Sequence, residues 1–310
     1  MSDLSLTDQL MGEVVGCKLA THRFGVSRAL GETQRKAAAD VFDADDALLS
    51  AAKKILDTKD ESWRGVTTVL SQAKTYWDGV TLPWPEAGVR LLRRNSIDAF
   101  TEQMGVFKGR LDQALGRLSD AYWGMRQSAK ERLGDLWDPN DYPPDISESF
   151  ALSWEFPSLE PPQYLVSINP AIYEQQMARV KARFDEAIVL AETAFTEEFR
   201  TLVDHLAERL TGDADGKPKQ FRDTAVTNLH EFFARFSSLS VRSNADLDRL
   251  IAQCQRMTQN ANADALRSND TLREVTAGAL GTIRDQLDAL MADKPKRLIR
   301  KRRQPTPAEA

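Results

Sequence analysis

The stretch that decides the fold is residues 137 to 170, WDPNDYPPDISESFALSWEFPSLEPPQYLVSINP. It contains seven of the protein's thirteen prolines and two of its six tryptophans. Because proline fixes φ and lacks an amide hydrogen, no helix can run through this stretch. The sequence on either side has the apolar spacing of helices. We call residues 137–170 the junction, since they separate two helical halves.

Two segments of the junction have the pattern of strands. Apolar residues at positions 150, 152, 154 and 156 alternate with Ala151, Ser153 and Glu155, and a period of two predicts a half-buried strand. Residues 165–168 form a second apolar run that would pair with it. A two-stranded hairpin is marginal alone, so a third strand is expected, and residues 13–21 match best. The alternative is an extended proline-rich linker without a sheet.

Composition limits the class of protein. The chain has 310 residues, 42% of them hydrophobic and 28% charged, which predicts packed cores and about two domains. It has no apolar run long enough to span a membrane, and its N-terminus lacks the basic region of a signal peptide. Two cysteines do not suggest a disulfide framework. The expected compartment is therefore the cytoplasm.

The two halves are predicted to be helical. Before the junction, we expect helices over 32–56, 61–77 and 97–136. The last has an apolar residue every three or four positions, as a single helix of about 60 Å requires. After the junction, Asn169-Pro170 is a strong helix start, and a similar stripe runs from Tyr173 to Leu210. We expect these two long helices to pair. Further helices are expected over 221–239, 244–257 and 263–291.

The expected fold class is mainly α. It is an elongated helical bundle built on a long antiparallel helix pair, with a small antiparallel β-sheet at the proline-rich junction. The domain organisation follows from these elements: residues 1–136 form an N-terminal helical half with a first short strand, 137–170 the junction, 171–292 a C-terminal helical half, and 293–310 a basic disordered tail.

Residues 78–92, DGVTLPWPEAGVRLL, are expected to form a loop in which Trp84 lies between Pro83 and Pro85. A tryptophan held by flanking prolines acts either as a plug in the core or as a rigid anchor for a partner. Burial favours the plug, since tryptophan is highly buried on average. The anchor stays open because tryptophan is enriched at interface hot spots.

The sequence lacks recognisable catalytic or cofactor motifs. His230 and Glu231 begin a zinc-protease motif, but Ala234 stands where the second histidine is needed. The calcium-loop pattern fails around Asp213 because neither register has both the glycine and the final glutamate. No phosphate-binding glycine loop and no nucleophile elbow occurs. We therefore expect no catalytic residue, no bound metal and no cofactor.

The C-terminal segment is strongly basic. The net charge is −5, but residues 293–304 contain seven Lys or Arg and one Asp, a local charge of +6, so the rest carries −11. Such a segment can bind phosphate backbones, and it has no aromatic residue for base stacking. The alternative is a tail that pairs with an acidic protein surface. The candidate binding residues are Lys294, Lys296, Arg297, Arg300, Lys301, Arg302 and Arg303.

Four phrases carry a resemblance: residues 76–92 (YWDGVTLPWPEAGVRLL), 131–146 (ERLGDLWDPNDYPPDI), 154–165 (WEFPSLEPPQYL) and 215–236 (DGKPKQFRDTAVTNLHEFFARF). In this order they resemble a family of uncharacterised bacterial and phage proteins, a domain of unknown function. Its members are sometimes encoded near MoxR-type AAA+ ATPases. The resemblance implies a partner class and no catalytic residue.

Three functions follow as hypotheses. The first is a non-catalytic helical scaffold or adaptor that binds a protein partner, with an AAA+ ATPase suggested by the resemblance. The second is a nucleic-acid-associated protein that binds non-specifically through the basic tail. The third, an enzyme with a cleft at the junction, has the least support because no acid-base or nucleophile constellation is visible.

Overall fold

The computed structural model describes residues 5–211, 224–259 and 263–292. The chain forms two compact units, Met1–Ala187 and Ile188–Ala310. It is mainly helical with a small antiparallel sheet, which confirms the predicted class. The boundary between the units falls inside a helix that starts at Pro170, whereas the sequence placed its divisions at 136/137 and 170/171. The basic tail, residues 293–310, lies outside the described residues.

The secondary structure alternates short strands with helices in the first unit and is helical in the described residues of the second. The elements, in chain order, are α1 Leu6–Glu13, β1 Val14–His22, β2 Ser27–Ala29, α2 Glu32–Asp40, β3 Ala52–Lys54, α3 Glu61–Val80, β4 Thr81–Pro83, β5 Val89–Arg93, α4 Ile97–Leu133, β6 Ala151–Glu155, α5 Tyr164–Ile168, α6 Pro170–Thr211, α7 Thr224–Leu239, α8 Ala245–Thr258, α9 Ala263–Ser268 and α10 Asp270–Ala292.

Helices α3 and α4 form the antiparallel pair of the first unit. Tyr76 near the end of α3 stacks on Phe100 near the start of α4, with ring centroids 6.0 Å apart. Ser62 at the start of α3 contacts Met125 near the end of α4. The predicted stripe of α4 is buried along its length. The sequence analysis predicted that α4 pairs with α6. An apolar stripe shows which face of a helix is buried, but it does not show which element packs against that face.

The four-stranded sheet has the order β4-β5-β1-β6, and all its neighbours are antiparallel. It joins the start of the chain to the junction, as predicted, since β1 pairs with β6 from Lys18 opposite Glu155 to His22 opposite Ala151. Strands β2 and β3 form a separate pair.

Several predicted elements differ from those of the structure; the helix expected over 263–291, for example, is divided into α9 and α10. Residues 165–168, expected as a strand, belong to α5; this run is mostly exposed, so its apolar character did not report a buried strand. The helix expected over 32–56 ends at Asp40. Asp45 accepts a hydrogen bond from the amide of Ala47 and caps a 3-10 turn. Aspartate competes with helical hydrogen bonding in this way.

The junction is fastened to α4 and β3 by polar contacts. The hydroxyl of Tyr142 donates to the carbonyl of Ile55 (2.8 Å), and that of Tyr122 donates to the carbonyl of Pro143 (3.0 Å). The largely buried Lys53 pairs with Asp141 at 2.7 Å. The junction is thus a fixed part of the first unit and not a free linker.

The second unit has a core of phenylalanines. Phe199 on α6 stacks on Phe232 of α7, with centroids 5.4 Å apart and planes 2° apart. Phe195 meets Phe236 edge-on at 5.1 Å. Phe195 and Phe199 are four residues apart on α6, and Phe232 and Phe236 are four residues apart on α7. Residues at this spacing lie on one face of a helix. The two helices therefore pack through these apolar faces.

Candidate protein-interaction surfaces

The segment between α2 and the following 3-10 turn exposes large apolar side chains. Val41, Phe42 and Leu48 are 75%, 76% and 88% exposed. Soluble proteins expose single apolar side chains routinely, but a cluster of them marks an interaction site. We call residues 40–48 the acidic tip, because Asp40 precedes these apolar residues and Asp43, Asp45 and Asp46 lie among them in the sequence.

The acidic tip is ordered by its own backbone and not by burial. The amides of Phe42 and Ala44 donate to the carbonyl of Ala39 at 3.0 and 3.1 Å, and the amide of Leu48 donates to the carbonyl of Asp45 at 3.1 Å. Asp43 adopts a positive φ of 50°, which aspartate tolerates better than most residues. These turns hold the apolar side chains outward, so their exposure is built into the local structure.

The residues that flank the acidic tip are held by a backbone hydrogen bond and an ion pair. The amide of Leu30 donates to the carbonyl of Ala51 at 3.0 Å, next to the pairing of β2 with β3. Arg35 lies 3.7 Å from Asp46, the one ion pair that reaches the tip's aspartates within the described part of the chain. The tip therefore presents apolar side chains inside a strongly negative field, which suits a basic and partly apolar partner surface. The sequence interpretation missed it by extending α2 through these residues, although four turn-forming aspartates were the available signal.

A second exposed apolar surface lies at the end of the junction. Tyr164, Val166, Ile168 and Ile172 are 62%, 44%, 72% and 44% exposed. Asn169 both ends α5 and caps α6, because its side-chain oxygen accepts from the amide of Ile172 at 3.2 Å. We call these four residues the junction patch.

Trp84 lies where the plug interpretation places it. It is 7% exposed, and its ring packs edge-on against Phe184 of α6, with centroids 4.8 Å apart. Two ion pairs hold the same part of α6, Lys181 with Asp8 at 2.8 Å and Arg183 with Glu86 at 3.6 Å. For Trp84 to act as an interface anchor, its contact with Phe184 would have to open.

The groups with nucleophilic or metal-binding chemistry are dispersed. Cys17 and Cys254 are buried, and burial raises the pKa of their thiols to about 11 and about 12. His22, His205 and His230 are exposed and lie on different elements. Over residues 5–211, 224–259 and 263–292, no three His, Cys, Asp or Glu side chains converge as a metal site.

A cavity of about 770 Å³ lies between residues 54–60 and the second half of α4. Its floor is apolar, with Ile55, Met125 and Ala129, and Arg132 pairs with Asp57 at its rim at 3.2 Å. The pKa of Asp57 lies below its usual value because of the hydrogen bond from the Lys59 amide and the contact with Arg132. A lowered pKa makes this carboxylate a weaker base, which is unfavourable for general base catalysis near neutral pH.

The seven cations predicted as a binding site, from Lys294 to Arg303, lie outside the described residues. In the part of the chain that the structure describes, no helix is long and apolar enough to cross a membrane. Comparisons of the chain with protein-family models, with curated proteins and with solved structures found no match.

Proposed function

We propose that this protein is a non-catalytic helical scaffold or adaptor that binds a protein partner through the acidic tip. The observation that carries the proposal is the exposure of Val41, Phe42 and Leu48 on a segment whose backbone is fixed by its own hydrogen bonds. A backbone that is already fixed loses little conformational entropy on binding. The surrounding aspartates steer a basic partner and discriminate against acidic ones.

The partner class proposed for testing first is a MoxR-type AAA+ ATPase, which the family resemblance suggests. The chemistry of the tip requires that such a partner present an apolar pocket with a basic rim. We place the complex in the cytoplasm.

The test is direct binding to a purified MoxR-type AAA+ ATPase encoded in the same genome. Phe42→Ser combined with Leu48→Ser is expected to weaken binding by about 10- to 100-fold, as the loss of interface hot spots does. The matched control is Val275→Ser, because Val275 on α10 is 65% exposed and lies outside the tip. Binding should also weaken as salt rises, because the tip's charge is screened.

Two outcomes count against the proposal. If the tip variant binds the ATPase as tightly as the native chain does, the tip is not the contact. If the native chain shows no binding, the partner class is wrong. In that case a photo-crosslinking residue at position 42 in living cells becomes the next measurement, and the absence of any crosslinked protein would remove the tip from consideration.

The alternative function is association with nucleic acid through the basic tail. The seven cations of residues 293–304 support it, and the affinity of such a tail for nucleic acid falls steeply with salt. Replacement of all seven by glutamine should then abolish binding to a mixed-sequence duplex. A duplex affinity that is unchanged by this replacement would exclude the tail.

A further inference from the structure

A groove of about 600 Å³ between α3 and α4 is lined by three arginines, Arg64, Arg110 and Arg117. Glu61 is the one acidic residue among its lining side chains, so the groove has a local charge of +2. This charge stands out, since the chain outside residues 293–304 carries −11. A positive groove on an acidic protein concentrates anions locally.

The arginines are arranged by helical periodicity. Arg110, Gln113 and Arg117 follow the spacing of three and four that places residues on one face of α4. Glu61, Arg64 and Thr68 do the same on α3. Arg110 and Arg117 are two turns apart, about 10 Å along the helix axis. The groove therefore spaces its positive charges along a line and does not gather them around one point.

Two of these arginines are available for a ligand. The side chains of Arg64 and Arg117 make no ion pair or hydrogen bond with the part of the chain that the structure describes, unlike Arg200 and Arg235, which pair with carboxylates. Arg110 donates a hydrogen bond to the side-chain oxygen of Gln72 at 2.8 Å. This bond fixes the position of the guanidinium group, and the neutral amide leaves its charge unchanged. None of these contacts cancels the charge of an arginine.

The groove continues along α3 as a row of hydroxyl groups. A shallow cavity of about 500 Å³ adjoins it and shares Thr68. Arg23 reaches this cavity from the end of β1, where its guanidinium donates to the hydroxyl of Ser71 at 3.4 Å. The hydroxyl-bearing residues that line the cavity are Thr67, Thr68, Ser71, Thr75 and Tyr76. Hydroxyl groups and guanidinium groups are common donors to phosphate oxygens.

We propose that this groove binds the phosphate backbone of single-stranded nucleic acid. Guanidinium groups match phosphate geometry through paired N–H donors. A line of cations beside hydroxyl donors suits a chain of phosphates better than one enclosed phosphate. Axes of packed helices lie about 8–10 Å apart, and a flexible single strand can follow the groove between them, whereas a stiff duplex cannot enter it. The groove is lined by none of the residues of the acidic tip.

The test uses the full-length chain with its seven tail cations replaced by glutamine, so that only the groove is measured. Binding of a fluorescent twelve-nucleotide thymidine strand is followed by anisotropy at several salt concentrations. Arg64→Gln combined with Arg117→Gln is expected to weaken binding about tenfold at low salt, since each lost charged hydrogen bond weakens it. The slope of log affinity against log salt should fall by about 1.4, or 0.7 for each phosphate contact.

The matched control is Arg179→Gln combined with Arg256→Gln, which removes the same charge from exposed arginines on α6 and α8. The proposal is overturned if the tail-neutral chain does not bind the strand, or if the groove and control variants lose the same affinity.

Tripolyphosphate is tested as a competitor. If it binds as tightly as the strand does, the ligand is a small phosphate compound, and the assignment to nucleic acid is wrong.

Discussion

The ring of Trp84 packs edge-on against the ring of Phe184, with their centroids 4.8 Å apart and their planes inclined by 66°. This contact joins the proline-flanked loop that follows β4 to the first part of α6. Phe184 is 2% exposed, so the contact is fully sheltered from solvent. The indole nitrogen of Trp84 is buried and has no hydrogen-bond partner in the described part of the chain. Trp84 therefore stabilises the unit by packing alone.

Replacement of Trp84 by alanine should lower the free energy of unfolding by about 3–5 kcal/mol, as expected for truncation of a buried aromatic side chain. Trp84→Phe should cost clearly less, because it retains a ring against Phe184 and removes an unpaired N–H group. Urea denaturation followed by circular dichroism measures both. If Trp84 were instead an exposed anchor, alanine would leave stability unchanged and weaken partner binding only.

Gly16 is required by a close approach of the junction to β1. A Cβ atom at this position would lie 2.6 Å from the carbonyl oxygen of Pro157 and 3.0 Å from the side chain of Leu159. Because the nearest atom belongs to the backbone, Gly16→Ala should destabilise the chain by about 1–3 kcal/mol. Gly116→Ala is the control, since a Cβ there meets nothing within 4 Å on α4, and it should stabilise by up to about 1 kcal/mol. Equal effects of the two substitutions on unfolding would contradict this packing.

Periodicity made much of the fold predictable. The α4 stripe repeats every three to four residues over nearly forty positions, and a signal of that length has no other explanation. The alternation around Trp154 similarly identified β6. Both patterns report burial of one face, so they predict an element and its orientation. Neither predicts the partner, which is why the pairing of α3 with α4 was not expected.

The other incorrect predictions concern segments in which prolines, glycines or aspartates determine the structure and the spacing of apolar residues does not. Residues 78–92 were expected as a loop with Pro83 and Pro85, yet the chain forms β4 and β5 there. Pro83 is tolerated since it ends an edge strand, where a missing amide costs no ladder bond, and Gly88 turns the chain with a φ of 83°. The acidic tip was hidden for a similar reason, because Val41, Phe42 and Leu48 are apolar but exposed. Exposure of apolar residues cannot be deduced from their spacing.

The ion pair between Lys53 and Asp141 should contribute to stability because it is sheltered. Their side chains are 8% and 15% exposed, and the lysine nitrogen lies 2.7 Å from the carboxylate. Asp141→Asn would leave the Lys53 ammonium group buried without a counter-ion, although the carbonyl of Leu136 still accepts from it, and would also remove the ion pair of Asp141 with Arg28 at 3.6 Å. We expect a loss of about 3 kcal/mol in the free energy of unfolding, as for other broken buried pairs.

The matched control for this pair is Glu32→Gln. It breaks the pair between Lys36 and Glu32, whose side chains are 57% and 70% exposed, and it should cost at most about 1 kcal/mol. Replacing both buried partners, by Lys53→Met with Asp141→Leu, should recover much of the lost stability because no buried ammonium group is left without a counter-ion, and Arg28, which also pairs with Asp141, is 34% exposed. A double variant as unstable as Asp141→Asn would show that packing, and not the charge, is responsible.

The buried thiols make stability depend on alkaline pH. Burial disfavours the thiolate and raises the pKa of Cys17 to about 11 and that of Cys254 to about 12. An unfolded cysteine titrates near 8.5. Between about pH 8.5 and 11 the unfolded chain therefore binds fewer protons than the folded chain, and stability falls as pH rises through this window. Below pH 8 both states hold their protons, and the thiols add no pH dependence.

Both thiols should accordingly resist a thiol-specific reagent in the folded protein at pH 8 and react fully in denaturant, because only a thiolate attacks and neither thiol is accessible. Unfolding measured at pH 8 and pH 10 should show a decrease in stability that is smaller in the Cys17→Ala, Cys254→Ala double variant. Lysine and tyrosine titration remains in both proteins, so the difference between them isolates the thiols. Rapid labelling of the folded chain at pH 8, or an identical pH dependence of the two proteins, would show that burial does not hold these thiols neutral.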